Sequence, residues 1–172
     1  MNRNDHISIF LVDDDSLFLK SLEHLLLHKL KYQVFVKPFP TGEDFLQHVD
    51  EKPDIVVLDY MLNAQNPEAM NGISVLTRVM EKYPATTVIM LSGHEKLEVA
   101  VESIKNGAYD YVIKNENALL KIQNLVRNAV TSIILRRQVR GYNFWVKIIV
   151  AIISLMLLTA IIIELVSRGM LH

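Results

Sequence analysis

Four short apolar runs in this chain each stop at residues of opposite character. Ile7–Val12 runs into Asp13 and Asp14, Ile55–Leu58 into Asp59, Val88–Leu91 into Ser92, and Tyr111–Ile113 into Lys114. A short, nearly unbroken apolar run is what a strand covered on both faces requires. Between the runs, apolar residues recur at helical spacing, as in Leu19, Leu22, Leu26 and Leu30. Strands alternating with helices confine the chain to a doubly wound α/β fold, a parallel sheet with helices on both faces. Ligands bind such sheets outside the carboxyl ends of the strands. Three carboxylates, a hydroxyl and an ammonium are therefore expected to converge on one pocket.

The remaining elements follow from local signals. Ser16 is placed to N-cap a first helix reaching about Lys29. Gln33–Val36 reads as a second strand broken by Pro38 and Pro40. Thr41 caps a short helix carrying Phe45, Leu46 and Val49, and Asp54–Asp59 is the third strand. A polar loop from Asn63 to Asn71 leads into a helix over Gly72–Lys82, which Pro84 ends. Thr86–Leu91 is the fourth strand, and Lys96–Asn106 a fourth helix closed by Gly107 as a left-handed cap. Tyr111–Ile113 is the fifth strand, after which Asn115 or Asn117 caps a long final helix.

A chain of 172 residues, 51% hydrophobic, has room for one compact domain and an appendage. A net charge of −1 gives no broad basic field, so no nucleic-acid partner is expected. The absence of cysteine excludes disulfides, thiolate metal sites and cysteine nucleophiles. Met1–Asp5 is polar and has no apolar segment behind it, so no signal peptide is expected there. From Phe144 to Val166 the chain is apolar apart from Lys147, Glu164 and mildly polar Ser154 and Thr159. As a helix this stretch reaches roughly 34 Å, enough for a hydrocarbon core of about 30 Å. Tyr142 and Trp145 fall where interfacial aromatic residues sit. Arg136, Arg137 and Arg140 precede the stretch, Lys147 stands near its start and Arg168 follows it, which keeps the N-terminal domain in the cytoplasm. The expected division is a domain over 5–135, a basic juxtamembrane linker over 136–143, a transmembrane helix over 144–166 and a tail over 167–172.

Clustered carboxylates repel one another unless a cation lies between them. Magnesium favours oxygen ligands and takes one or two carboxylates together with water or phosphate oxygens. Asp13, Asp14 and Asp59 suit it. Asp15 reads instead as an exposed turn acid. His24 and His28 have a spacing able to bind zinc, but no third ligand accompanies them, and they read as an ordinary exposed pair.

The order Val12-Asp13-Asp14-Asp15, Val57-Leu58-Asp59, Leu91-Ser92-Gly93 and Tyr111-Val112-Ile113-Lys114 resembles the receiver domain of two-component response regulators, over about residues 5 to 135. The resemblance implies a flavodoxin-like sheet of five strands in the order 2-1-3-4-5. It implies that Asp59 accepts a phosphoryl group from a histidine kinase or phosphotransfer protein, with Mg2+ held by Asp13, Asp14, Asp59 and the Met61 backbone carbonyl. Lys114 and Ser92 would then bind the phosphoryl oxygens, Gly93 would leave the entrance open, and Ser92 with Tyr111 would form the switch. Such a domain catalyses its own phosphorylation and dephosphorylation and turns over no separate substrate.

Three departures from the family pattern stand out. Asn115 follows Lys114 where the family has a cis proline, and since a cis bond to a non-proline costs about 3 to 4 kcal/mol, a trans loop is expected. The loop between Asp59 and Gly72 is longer than usual. Met61 and His94 stand where the family tunes hydrolysis of the aspartyl phosphate.

The final helix has more apolar residues than one covered face needs. Leu119, Ile122, Val126, Ala129 and Ile133 form one stripe, broadened by Leu120, Leu125, Val130 and Ile134, and the excess would support a homodimer. With no DNA-binding or catalytic segment evident, the output is expected through a membrane or cytoplasmic protein. The expected function is a receiver tethered to the lipid bilayer of the cytoplasmic membrane. The alternatives are a phosphorylation-independent scaffold, or a phosphate sink or relay intermediate. A haloacid-dehalogenase-type phosphatase fits Asp13-Asp14-Asp15-Ser16-Leu17 poorly.

Overall fold

The computed structural model describes residues 6–62, 68–93 and 97–169. Five strands alternate with five helices: β1 (Ile7–Val12), α1 (Ser16–Lys29), β2 (Val34–Phe39), α2 (Gly42–His48), a 3-10 turn (Val49–Glu51), β3 (Ile55–Asp59), α3 (Gly72–Lys82), β4 (Thr87–Ser92), α4 (Leu97–Lys105), β5 (Asp110–Ile113) and α5 (Ala118–Gly169). The strands are parallel and lie in the order β2-β1-β3-β4-β5, the flavodoxin-like arrangement that the family resemblance implies. The order reverses between β1 and β3. The chain therefore leaves these neighbouring strands toward opposite sides, opening a crevice at their carboxyl ends.

Burial explains the apolar runs. Every residue of β3 is buried, as are all but Ser8 in β1 and all but Thr87 in β4. On one side Phe10, Phe39, Phe45, Val56, Leu58, Leu76 and Val88 share a core cluster. Ala118, Ile122, Val126, Ala129 and Val130 of α5 are buried, whereas Leu120 is 59% exposed.

Two local expectations require correction. The N-cap of α1 is Asp15, not Ser16: its carboxylate accepts hydrogen bonds from the Leu17 and Phe18 N–H groups, and Ser16 is the first helical residue. Both types cap well, but only the residue with extended backbone can turn its side chain onto the helix end. Pro38 does not break β2, which continues to Phe39. The Gln33 and Phe39 carbonyls accept from Ile7 and Asp13 N–H, so Pro38, of opposite parity, turns its N–H-less nitrogen away from β1. An edge strand has no ladder bond to lose there.

Thr41 forms the cap expected of it by accepting from Asp44 N–H, and α3 is capped by Asn71, the last residue of the polar loop, which accepts from Ser74 N–H. Gly107, at φ 95°, ends α4: its N–H reaches Ile104 O while Ala108 N–H reaches Ser103 O, a Schellman arrangement. The described peptide bonds are all trans, including the one after Lys114. Asn115 shapes that loop itself, its Oδ1 accepting from Asn117 N–H at 3.0 Å and its carbonyl from Ala118 N–H at 2.9 Å.

The chain divides into two compact units, 1–131 and 132–172, and the division falls within α5. In the second unit residues 136–143 are helical, and Trp145–Gly169 is a segment long and apolar enough to cross a membrane.

Candidate functional site

The ladders bring four strand ends to one level. Asp59 pairs in register with Leu91, and the Tyr60 N–H donates to Leu91 O at 2.9 Å. Ser92 pairs with Ile113, and the Lys114 N–H donates to Ser92 O at 2.8 Å. On the other flank, the Asp13 N–H donates to Phe39 O at 3.1 Å. The side chains that follow are thus set by sheet hydrogen bonds rather than by loop conformation.

Asp13, Asp59 and Ser92 are buried, each 2% exposed or less. Lys114 Nζ lies 2.9 Å from Asp59 Oδ2 and donates a hydrogen bond to it. It lies 2.7 Å from Asp13 Oδ2, a close ion pair without hydrogen-bond alignment. Asp13 Oδ1 accepts the Asp15 N–H at 2.9 Å. Asp59 Oδ1 is buried and has no hydrogen-bond partner.

Burial pushes the Asp13 carboxyl up to about 6, with the neighbouring Asp59 charge adding to the shift and Lys114 opposing it. For Lys114, burial acts to lower the pKa. Attraction to Asp59 and Asp13 outweighs it, so the ammonium titrates above its ordinary value.

Two buried carboxylates share one ammonium, and half-buried Asp14 adds a third acid beside them. One oxygen from each of Asp13, Asp14 and Asp59 lies within 4.8 Å of the others. Surplus negative charge, hard oxygen donors and the undonated Asp59 Oδ1 all fit a small divalent cation. A Cβ on Gly93 would meet nothing within 4 Å, so the backbone after β4 leaves open space.

Tyr111 is half-buried against the core cluster, and its carbonyl accepts from Lys121 Nζ at 3.0 Å. Met61, just beyond β3, has an exposed side chain. His94 and residues 63–67 lie outside the described residues. Asp15 spends its carboxylate on capping α1. His24 and His28 stack with ring centroids 4.1 Å apart, and His28 Nδ1 lies 2.8 Å from His24 O. Among the described residues, only Asp13, Asp14 and Asp59 make a cluster able to hold a metal.

Two neighbours of the site escape sequence reasoning. Gly72 packs its Cα onto the end of β3: a Cβ there would fall inside the Asp59 carbonyl and 2.7 Å from Tyr60 Cα. Its N–H also donates to Tyr60 O at 2.9 Å. The only sequence signal is a glycine directly after a capping asparagine. Phe18, on the first turn of α1, has its ring centroid 5.0 Å from Lys114 Nζ. An aromatic residue soon after the acidic run was the available hint.

Residues 9–126 match the family described as response regulator receiver domain. The chain is 33% identical over 105 residues to the chemotaxis protein CheY of Listeria monocytogenes, covering 60% of this chain and 83% of that one. It is 34% identical over 89 residues to the nitrogen assimilation regulatory protein NtrX of Azorhizobium caulinodans, covering 52% of this chain and 19% of NtrX. Thus it spans about a fifth of the NtrX relative. Among solved structures, a BeF3-activated DrrB receiver domain superposes with a TM-score of 0.63 at 32% identity, covering 73% of this chain and 98% of that domain.

Proposed function

Since this chain belongs to the response regulator receiver domain family, we propose that it accepts a phosphoryl group on Asp59 from the phosphohistidine of a histidine kinase or phosphotransfer protein. The observation that carries this reading is the Lys114 ammonium, seated between Asp13 and Asp59 while Asp59 Oδ1 stays without a donor. An Asp59 carboxylate oxygen attacks the phosphorus. An O–P bond forms, the N–P bond of the donor breaks, and the leaving imidazole keeps the electron pair and takes up a proton. The product is an aspartyl phosphate.

Phosphoryl transfer depends on in-line positioning and on stabilising charge over the phosphoryl oxygens. Lys114 turns from Asp59 toward those oxygens, and the Ser92 hydroxyl, buried at the end of β4, donates to another. Asp13, Asp14 and Asp59, with the Met61 carbonyl, would hold Mg2+. When bound, that ion neutralises phosphoryl charge. The same pocket returns the group to water, making the domain a catalyst of its own phosphorylation and dephosphorylation. Ser92 and Tyr111 then transmit the change to the surface of α4, β5 and α5, where a membrane or cytoplasmic output protein, or a second copy of the chain, associates.

The apolar segment within α5 tethers this receiver to the cytoplasmic membrane. In this arrangement residues 5–135 form the receiver, 136–143 a basic juxtamembrane stretch, 144–166 the span and 167–172 the tail. Arginine-rich sequence on the receiver side supports a cytoplasmic location for the domain.

Intact mass after incubation with magnesium and a small-molecule phosphodonor tests the first step. One phosphoryl adduct is expected in the unsubstituted chain and none in Asp59→Asn. No adduct in either would favour a phosphorylation-independent scaffold, and an adduct surviving in Asp59→Asn would move the acceptor elsewhere.

A further inference from the structure

A closed ring of contacts runs around the rim of the pocket. The Asp15 N–H donates to Asp13 Oδ1 at 2.9 Å. Asp15 Oδ1 accepts from the Leu17 N–H at 2.9 Å and the Phe18 N–H at 3.1 Å, fixing the first turn of α1. The Phe18 ring lies 5.0 Å from Lys114 Nζ, and that nitrogen returns to Asp13 Oδ2 at 2.7 Å. We propose that Phe18 is a positioning residue for Lys114, holding the ammonium at the pocket through its ring face while the ammonium's charged partners change.

The need arises from the chemistry. A lysine ammonium has three donors on a long, flexible stem. In the resting arrangement two carboxylates hold it, and the aromatic ring is its third neighbour. Forming the acyl phosphate converts the Asp59 carboxylate into a mixed anhydride and removes its charge. A cation at the acidic cluster competes with Lys114 for Asp13. Both electrostatic anchors therefore weaken when the ammonium must face the phosphoryl oxygens. The negative face of an aromatic ring attracts a cation without exchanging protons or ligands, and its strength grows where water is excluded. Phe18 is half-buried, and the Lys114 side chain is 19% exposed, so the contact is largely desolvated. Asp15 contributes indirectly, because its cap sets where α1 presents the ring.

This inference rests on the phosphoacceptor reading, and the same assay separates the two. The full chain in mild detergent is treated with magnesium and a small-molecule phosphodonor, and the rate of adduct formation is followed by intact mass. Phe18→Leu and Phe18→Met fill similar space without a ring, whereas Phe18→Tyr keeps the ring face. The Leu and Met variants are expected to react about 3- to 30-fold more slowly, the range that losing a partly desolvated cation–π contact implies. Phe18→Tyr is expected to stay within about twofold of the unsubstituted chain, since its ring attracts a cation comparably. A packing role alone would not separate Met from Tyr in this way. Should Phe18→Leu fail to fold, Phe18→Met carries the comparison. Equal rates in all variants, or a Tyr variant as slow as Met, would overturn the assignment of Phe18. No adduct in the unsubstituted chain would overturn the phosphoacceptor reading beneath it.

Discussion

Asp13 bears the main electrostatic cost of the pocket. Its carboxyl, raised to about 6, keeps a proton in the folded chain at pH values where the unfolded chain has already lost it. Folded stability contributed by this group therefore falls as pH rises from the unfolded value of 3.8 through about 6. The total is on the order of 3 kcal/mol. A divalent cation held by the proposed acid cluster would reverse the balance, because it would bind only the deprotonated acid. Magnesium is expected to raise the melting temperature clearly at pH 7.5 and hardly at pH 5, and Asp13→Asn should abolish that difference. Equal stabilisation at both pH values would show that the ion binds elsewhere. The acids, Ser92 and Lys114 were legible in the sequence because each follows an apolar run. Parallel pairing then brings the ends of such runs together. Phe18 and Gly72 were not legible, since each touches the site across a long separation in sequence that no local pattern records.

The start of α1 does two tasks with one side chain. Asp15 caps the helix through its carboxylate and fastens the loop to Asp13 through its N–H. Replacing it with alanine removes the first task and leaves the second. Asp15→Ala is expected to lose about 1 kcal/mol of stability, or roughly 3 to 6 °C in the melting temperature, with most of the loss recovered in Asp15→Asn. Thermal melts of the three chains would decide it, and an unchanged alanine variant would deny Asp15 its capping role. Adjacent Asp and Ser are both good caps, so sequence alone did not choose between them. The strand containing Pro38 shows a similar limit. Whether proline breaks a strand depends on which way its nitrogen faces and whether another strand lies there. Those facts exist only once β2 has been placed at the sheet edge.

At the level of the whole molecule, α5 contributes residues to both compact units. Ala118, Ile122, Val126, Ala129 and Val130 near its start are buried, while Leu155, Met156 and Ile163 of Trp145–Gly169 lie exposed. If the latter part enters a bilayer, the full chain will sediment with membranes and resist alkaline extraction. A chain ending at residue 137 will appear in the soluble fraction; recovery of the full chain there would rule out the tether. Within the first unit, the contact at Gly72 has a consequence for how this protein tolerates change. The Tyr60 carbonyl and the Gly72 Cα clamp both ends of the connection from β3 to α3. Chain added between them is held to the same entry and exit points, so this connection is a natural port for inserted sequence.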